Sequence, residues 1–312
     1  MDLTYVFPKA IDNTMRTAWD ACQRKFLLGH IYNLRKGDPS MHLVFGGAYA
    51  KGLEIARKEF YGGNTDKANY LGKACIAAIK EWDLQLDDPL LDEAKSLPNC
   101  LGAILYCFDT WPMIGDWLTP LKNADGSPTI EFTFAIPISA IHPATSDPIL
   151  YTGRFDMFAD FQGAQALEDD KTASQLGNSW VNGWDLDSQI TGYVWAGQQS
   201  GYPNLKTAII RGVSILKTSF GHAQAIQYRT KWHISNWYNV LHSNLEGMLE
   251  AFSNGPKSFT PSYGQACKAY GGCPYRELCD KENWEKWIEP NFHHYVWDPL
   301  AISGVTDEQN KD

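Results

Sequence analysis

Gly153-Arg154-Phe155-Asp156 and, eleven residues further on, Leu167-Glu168-Asp169-Asp170-Lys171-Thr172 decide how this chain is read. Each ends an apolar run on acidic side chains, and the second places a lysine two residues after Asp169. With the turn-forming Gln162-Gly163-Ala164 between them, the two runs read as neighbouring strands. Side chains alternate across a strand, so Asp169 and Lys171 share one face while Glu168 and Asp170 take the other. Two carboxylates suit Mg²⁺ or Mn²⁺, and a lysine beside them can orient an attacking water or help to deprotonate it. Such a set serves metal-dependent phosphodiester cleavage. The D-x-K triplet alone occurs by chance in many chains, where it marks a solvated strand end, so its surroundings must carry the case.

Composition narrows the classes. The 312 residues can bury a substantial core, and 20% charged against 44% apolar residues is the balance of an ordinary globular protein. No apolar run approaches the ~20 residues of a membrane span. The N-terminus lacks the basic and apolar regions of a signal peptide, so a cytoplasmic location is expected. A net charge of −9 argues against nonspecific coating of nucleic acid, which needs clustered Lys and Arg. It leaves room for a nuclease, whose metal site contributes acids of its own. Trp180, Trp184, Tyr193 and Trp195 follow the acidic stretch, and they read as core aromatics or as a surface for stacking on unpaired bases.

Outward from the hairpin, residues 14–33, 45–60, 66–82 and 99–111 carry helical periodicity, with Asn13 or Thr14 as the first N-cap and a helical insertion over 61–125. The period then changes to that of strands over 129–136, 149–161 and 164–170. A helix over 185–201, strands over 206–217 and 223–230, and a long helix over 233–252 follow. This order predicts an α/β fold, a central mixed β-sheet flanked by helices, in one structural unit spanning 1–312. The region 256–290 reads as an irregular, Cys-rich tail, and Asp307–Asp312 as frayed ends.

Three of the seven cysteines form C-x5-C-x5-C at Cys267, Cys273 and Cys279. Zinc fingers and ribbons prefer closer pairs, and disulfides are disfavoured in a reducing cytoplasm. A tetrathiolate site needs a fourth ligand, for which Cys22 in a docking helix is the best candidate. Cys75, Cys100 and Cys107 sit in apolar helical settings and read as buried thiols. Four thiolates can hold an iron–sulfur cluster, which would here join the N-terminal helix to the tail.

Taken together, these residues resemble the RecB-like branch of the PD-(D/E)XK nuclease superfamily. More narrowly, they look like its iron–sulfur members, the AddB-type and CRISPR-associated RecB-like exonucleases, with phage-encoded forms among them. Gly153-Arg-Phe-Asp156 is similar to the second motif, Asp169-Asp-Lys171-Thr172 to the third, and Gln189-Ile-Thr-Gly-Tyr193 to the Q-x3-Y motif of that branch. The resemblance implies a restriction-endonuclease-like core and a [4Fe–4S] cluster on Cys22, Cys267, Cys273 and Cys279. It implies Mg²⁺ or Mn²⁺ held by Asp156, Asp169 and the main-chain carbonyl of Asp170. Lys171 would position the water, with Gln189, Tyr193 and Glu54 completing the catalytic set. The implied substrate is DNA, single-stranded or at duplex ends, with a recombination or replication protein as an expected partner and no membrane. The resemblance also implies that the cell is bacterial or phage-infected.

One departure matters. The first motif of the family is a helix of the form G-x3-H-x3-E, and Gly46-Gly-Ala-Tyr-Ala50-Lys-Gly-Leu-Glu54 has alanine where the histidine belongs. A natural variant relying on Glu54 or water, an engineered inactive mutant, and a lineage that has lost cleavage all fit. His42, read as preceding the helix, is a poor substitute. The alternatives to a nuclease are a DNA-binding or partner-binding protein on the same scaffold and an iron–sulfur redox protein.

Overall fold

The computed structural model describes residues 3–37, 40–83, 94–268 and 272–303; the expected fraying of Asp307–Asp312 lies outside them. In chain order the elements are β1 (Ala10–Ile11), α1 (Asn13–Ala21), α2 (Gln23–Phe26), a π-helical turn (Leu27–Ile31), β2 (Leu34–Lys36), α3 (Met41–Tyr61), α4 (Lys67–Asp83), α5 (Leu97–Thr110) and β3 (Leu118–Pro120). Then come β4 (Ile130–Ile141), β5 (Pro148–Phe161), β6 (Ala164–Ala173), α6 (Asn178–Asn182), α7 (Ser188–Gln199), β7 (Thr207–Ile215), β8 (Phe220–Tyr228), α8 (Lys231–Ser253), α9 (Arg276–Cys279), β9 (Phe292–His294) and α10 (Pro299–Ser303). The chain divides into two compact units, one of Met1–Asp38, Thr133–Gly153 and Ser235–Asp312, the other of Pro39–Phe132 and Arg154–Ile234.

The second unit is built on a mixed sheet. The β5–β6 hairpin turns at Gln162 and Gly163, whose φ values of 55° and 87° are those of the two-residue hairpin loop that matches strand twist. Its ladder runs from Phe161↔Ala164 to Met157↔Glu168. On the far side β6 pairs in parallel with β7, from Ala166↔Thr207 to Ala173↔Ser214. The crossover a parallel pair requires is supplied by α6 and α7. Beyond it β7 pairs antiparallel with β8, and β3 lies antiparallel to β5.

Helices cover both faces of this sheet. The buried stripe of α3 (Val44, Phe45, Ala48, Tyr49, Leu53 and Ala56) packs with α4, α5 and with Val213 and Ile215 of β7. On the opposite face α7 comes so close that a Cβ on its Gly197 would stand 2.8 Å from Phe158 and 2.4 Å from Leu205. Asp187 caps α7, its carboxylate accepting the Ile190 N–H at 2.9 Å.

In the first unit, β1 pairs in parallel with the opening residues of β5 (Ala10↔Leu150) and β2 pairs with β9. The single helix expected over 14–33 is interrupted. Asp12, not Asn13 or Thr14, caps α1 by accepting the Met15 N–H at 2.8 Å, and at Cys22 the backbone is extended (φ −171°, ψ 117°) before α2 begins. Helical periodicity survives such a one-residue break, which is why the pattern concealed it.

Candidate functional site

The hairpin brings the central acidic residues together in the second unit. The β5–β6 ladder stops at Met157, and beyond it Oδ2 of Asp156 accepts the main-chain N–H of Asp170 at 2.5 Å. Alternation along β6 sends Asp169 and Lys171 to the α7 face, where Lys171 Nζ meets Asp169 Oδ2 at 2.5 Å. Glu168 and Asp170 point the other way and are gripped by Arg57 of α3, at 3.0 Å and 2.5 Å respectively. Arg211 of β7 holds Glu168 at 3.1 Å and binds both oxygens of Asp116 at 2.8 Å. One sequence of alternating side chains thus builds a paired ionic layer behind the strand and an acidic site in front.

The front face carries more negative than positive charge. Burial pushes the Asp156 carboxyl well above its ordinary range, and the nearby Asp169, Asp170 and Glu131 push it further, with Lys171 opposing. Asp169 is raised by burial against the pull of Lys171. Burial works against the Lys171 ammonium, yet Asp169 and Asp156 raise its pKa above the usual lysine value. Lys171 therefore remains a cation and a donor at neutral pH. One ammonium facing two crowded carboxylates leaves a deficit that a dication would relieve, so the donors present fit Mg²⁺ or Mn²⁺. Among the described residues, no three His, Cys, Asp or Glu side chains converge on a single metal position. The side-chain donors for such an ion would be two, Asp156 and Asp169.

The other sequence-derived residues are placed as follows. Gln189 and Tyr193 share one face of α7, Gln189 Nε2 donating to the Tyr193 hydroxyl at 2.9 Å, and the Tyr193 ring packs on Phe155. Glu54 is engaged by Lys51 at 2.8 Å and Lys58 at 2.6 Å. It lines a cavity of about 160 Å³ with Gly47, Ala50, Lys51, Glu81, Glu131 and Arg154. Arg154 contacts Glu131 at 2.7 Å. His42 does not precede the helix; it lies in the first turn of α3, exposed, because Ser40 caps the helix earlier than the glycine pair suggested. Of the aromatics, Trp180 lies against Gly212 of β7, the residue paired with Lys171, so closely that a Cβ there would meet its ring at 2.5 Å. Trp195 is buried.

Arg57, Glu131, Arg211 and Asp116 escaped the sequence reading. For Arg57 a signal existed. It falls four residues after the buried Leu53 and next to Ala56, so a charge stands in the apolar stripe of α3, and a buried arginine needs acidic partners.

The first unit assembles the cysteines. The Thr260–Ser262 segment straps across the break after α1: Arg24 N–H donates to Thr260 O at 3.3 Å, Thr260 Oγ1 to Gln23 at 2.9 Å and Ser262 Oγ to Ala21 O at 3.1 Å. The Tyr275 hydroxyl donates to Leu34 O at 2.7 Å and passes over Gly29, where a Cβ would stand 2.8 Å from its oxygen. These ties leave Cys22, Cys267, Cys273 and Cys279 lining one cavity of about 210 Å³, with Lys25 and Arg276 at its wall. Burial raises the Cys273 and Cys279 thiols, while Lys25 acts to lower the first and Arg24 the second. All four are free of disulfides, as are Cys75, Cys100 and Cys107. Four soft donors lining one cavity fit an iron–sulfur cluster.

No family model matches the chain, and no curated protein matches it. Among solved structures it is similar to an exonuclease candidate from Eubacterium rectale, with 11% identity, 80% of this chain and 82% of that one covered, and a TM-score of 0.43. It is also similar to the protein SSO0001, with 10% identity, 75% and 85% covered, and a TM-score of 0.29. No described helix is long and apolar enough to cross a membrane.

Proposed function

We propose that this chain is a divalent-metal-dependent DNA nuclease, an exonuclease of phage or bacterial recombination, replication or repair. The observation that carries the reading is the joint placement of Asp156, Asp169 and Lys171, with the Asp156 carboxylate seated on the Asp170 peptide. Asp156, Asp169 and the carbonyl of Asp170 are the residues that would hold Mg²⁺ or Mn²⁺. Bound there, such an ion supplies Lewis acidity and lowers the pKa of a coordinated water. Lys171, kept cationic by its acidic neighbours, donates to the water or to the phosphate oxygen on which charge develops. Gln189 and Tyr193 supply a linked amide and hydroxyl on α7 for orienting a phosphate. Glu54, paired with Lys51 and Lys58, is the residue of the first motif that would reach the ion, directly or through a water.

Cys22, Cys267, Cys273 and Cys279 are the proposed ligands of a [4Fe–4S] cluster. They line one cavity, and their C-x5-C-x5-C spacing lacks the close pairs that zinc fingers and ribbons prefer, which favours a cluster over zinc. Its role is structural, since it ties residue 22 to the tail across a long loop.

Ala50 favours a second reading, a DNA-binding or partner-binding protein on the same scaffold, because alanine offers no donor where the resembling family has histidine. Cleavage separates the two. Iron-replete protein is incubated with end-labelled single-stranded, duplex and flapped DNA, with Mg²⁺, Mn²⁺ or chelator. Metal-dependent shortening that disappears in Asp169→Ala supports the enzyme. Binding without cleavage, retained in Ala50→His, supports the binding protein and defeats the nuclease reading.

A further inference from the structure

Behind β6 lies a chain of buried charges, Asp116–Arg211–Glu168–Arg57–Asp170, in which the five side chains are at most 6% exposed. Its link through Asp170 reaches the acidic site. The Asp170 carboxylate faces Arg57, and its other oxygen, Oδ1, is buried without a hydrogen-bond partner among the described residues. The peptide N–H of the same residue binds Asp156, and its neighbours in sequence are Asp169 and Lys171. Arg57 thus fixes the side chain of a residue whose backbone the front face uses. A planar guanidinium bridging two carboxylates sets the torsion of that stretch of strand, which a point charge cannot do.

We infer that Arg57 is a positioning residue for the metal site: by bridging Glu168 and Asp170 it orients the Asp170 peptide, and through it Asp156 and the Asp169–Lys171 pair. The inference rests on the nuclease reading above. Arg211 provides the internal comparison, since it lies in the same network, is equally buried and touches Glu168 and Asp116 but not Asp170.

The test compares Mn²⁺ affinity, by titration calorimetry, and cleavage rate at saturating Mn²⁺ in Arg57→Lys and in two charge-neutral double variants, R57Q/E168Q and R211Q/D116N. Circular dichroism and melting temperature report folding. Both Arg57 variants should bind Mn²⁺ about 10- to 100-fold more weakly, the usual cost of losing a residue that orients a metal ligand. They should also cleave more slowly even when saturated. R211Q/D116N should lose comparable stability yet bind Mn²⁺ within about twofold of wild type. Equal loss in both doubles, or none in either, overturns the positioning role while leaving the nuclease reading intact. Should Arg57→Lys fail to fold, the balanced double decides alone. If wild-type protein shows no Mn²⁺ binding that Asp169→Ala abolishes, the nuclease reading itself fails and this inference falls with it.

Discussion

Replacing Lys171 with methionine should tighten Mn²⁺ binding while abolishing cleavage. The ammonium lies 2.5 Å from Asp169 Oδ2 with its side chain 29% exposed, so it already occupies the charge position a metal ion needs. Two unit charges about 4 Å apart interact by about 4 kcal/mol at an effective dielectric of 20. Solvent access and the loss of packing reduce what the exchange releases to roughly a third of that, or about tenfold in Mn²⁺ affinity. Without metal the variant leaves Asp156 and Asp169 facing each other uncompensated. It should then be less stable by about 1–2 kcal/mol, below the 3–5 kcal/mol of a fully buried broken pair. Added Mn²⁺ should recover that loss, giving a larger metal-induced rise in melting temperature than in wild type. Calorimetric titration in two buffers of different ionisation enthalpy, which separates proton release from metal binding, together with melts in chelator and in Mn²⁺, measures each quantity. Unchanged or weaker Mn²⁺ affinity with an unchanged metal-free melt would refute the claim that Lys171 and the ion share carboxylates.

Anaerobically purified protein should be brown with iron and sulfide in near-equal amounts, and Cys22→Ser should lose the colour and melt lower; stoichiometric zinc without sulfide contradicts this. Ala50→His should raise Mn²⁺ affinity by about tenfold and increase cleavage, since it restores an inner-shell donor; an unaltered titration means that the first motif lies elsewhere. Burial, assisted by Lys25 and Arg35, lowers the His30 pKa to about 4, so folding keeps this imidazole neutral. Its contribution is complete above about pH 6.5 and is lost as pH falls toward 4, at up to about 1.4 kcal/mol per pH unit. Denaturant titrations of wild type and His30→Gln across that range should converge at low pH, and parallel curves contradict the assignment.

The hairpin was legible because strand alternation and a Gln-Gly turn are local, and the same alternation divided Asp169 and Lys171 from Glu168 and Asp170 correctly. The mixed sheet with helices on both faces followed from the order of periodic segments. What sequence withheld is set by long-range packing. The break at Cys22 leaves helical periodicity intact on either side, and it becomes visible only where Thr260 and Ser262 bind the freed backbone. Arg57 belongs to a helix more than 100 residues before its partners, so only its misplaced charge hinted at them. Glu131 stands at the start of β4 with φ of 57°, a conformation no residue pattern announced.

Anomalous diffraction from crystals soaked with Mn²⁺ and a short DNA strand tests the metal site at Asp156 and Asp169 directly. An anomalous peak is expected, bounded by the carboxylates of Asp156 and Asp169 and the carbonyl of Asp170 and touching a phosphate oxygen, with Lys171 Nζ on the same phosphate or its water. A strand bound elsewhere, or Mn²⁺ seated away from Asp156 and Asp169, would contradict that placement.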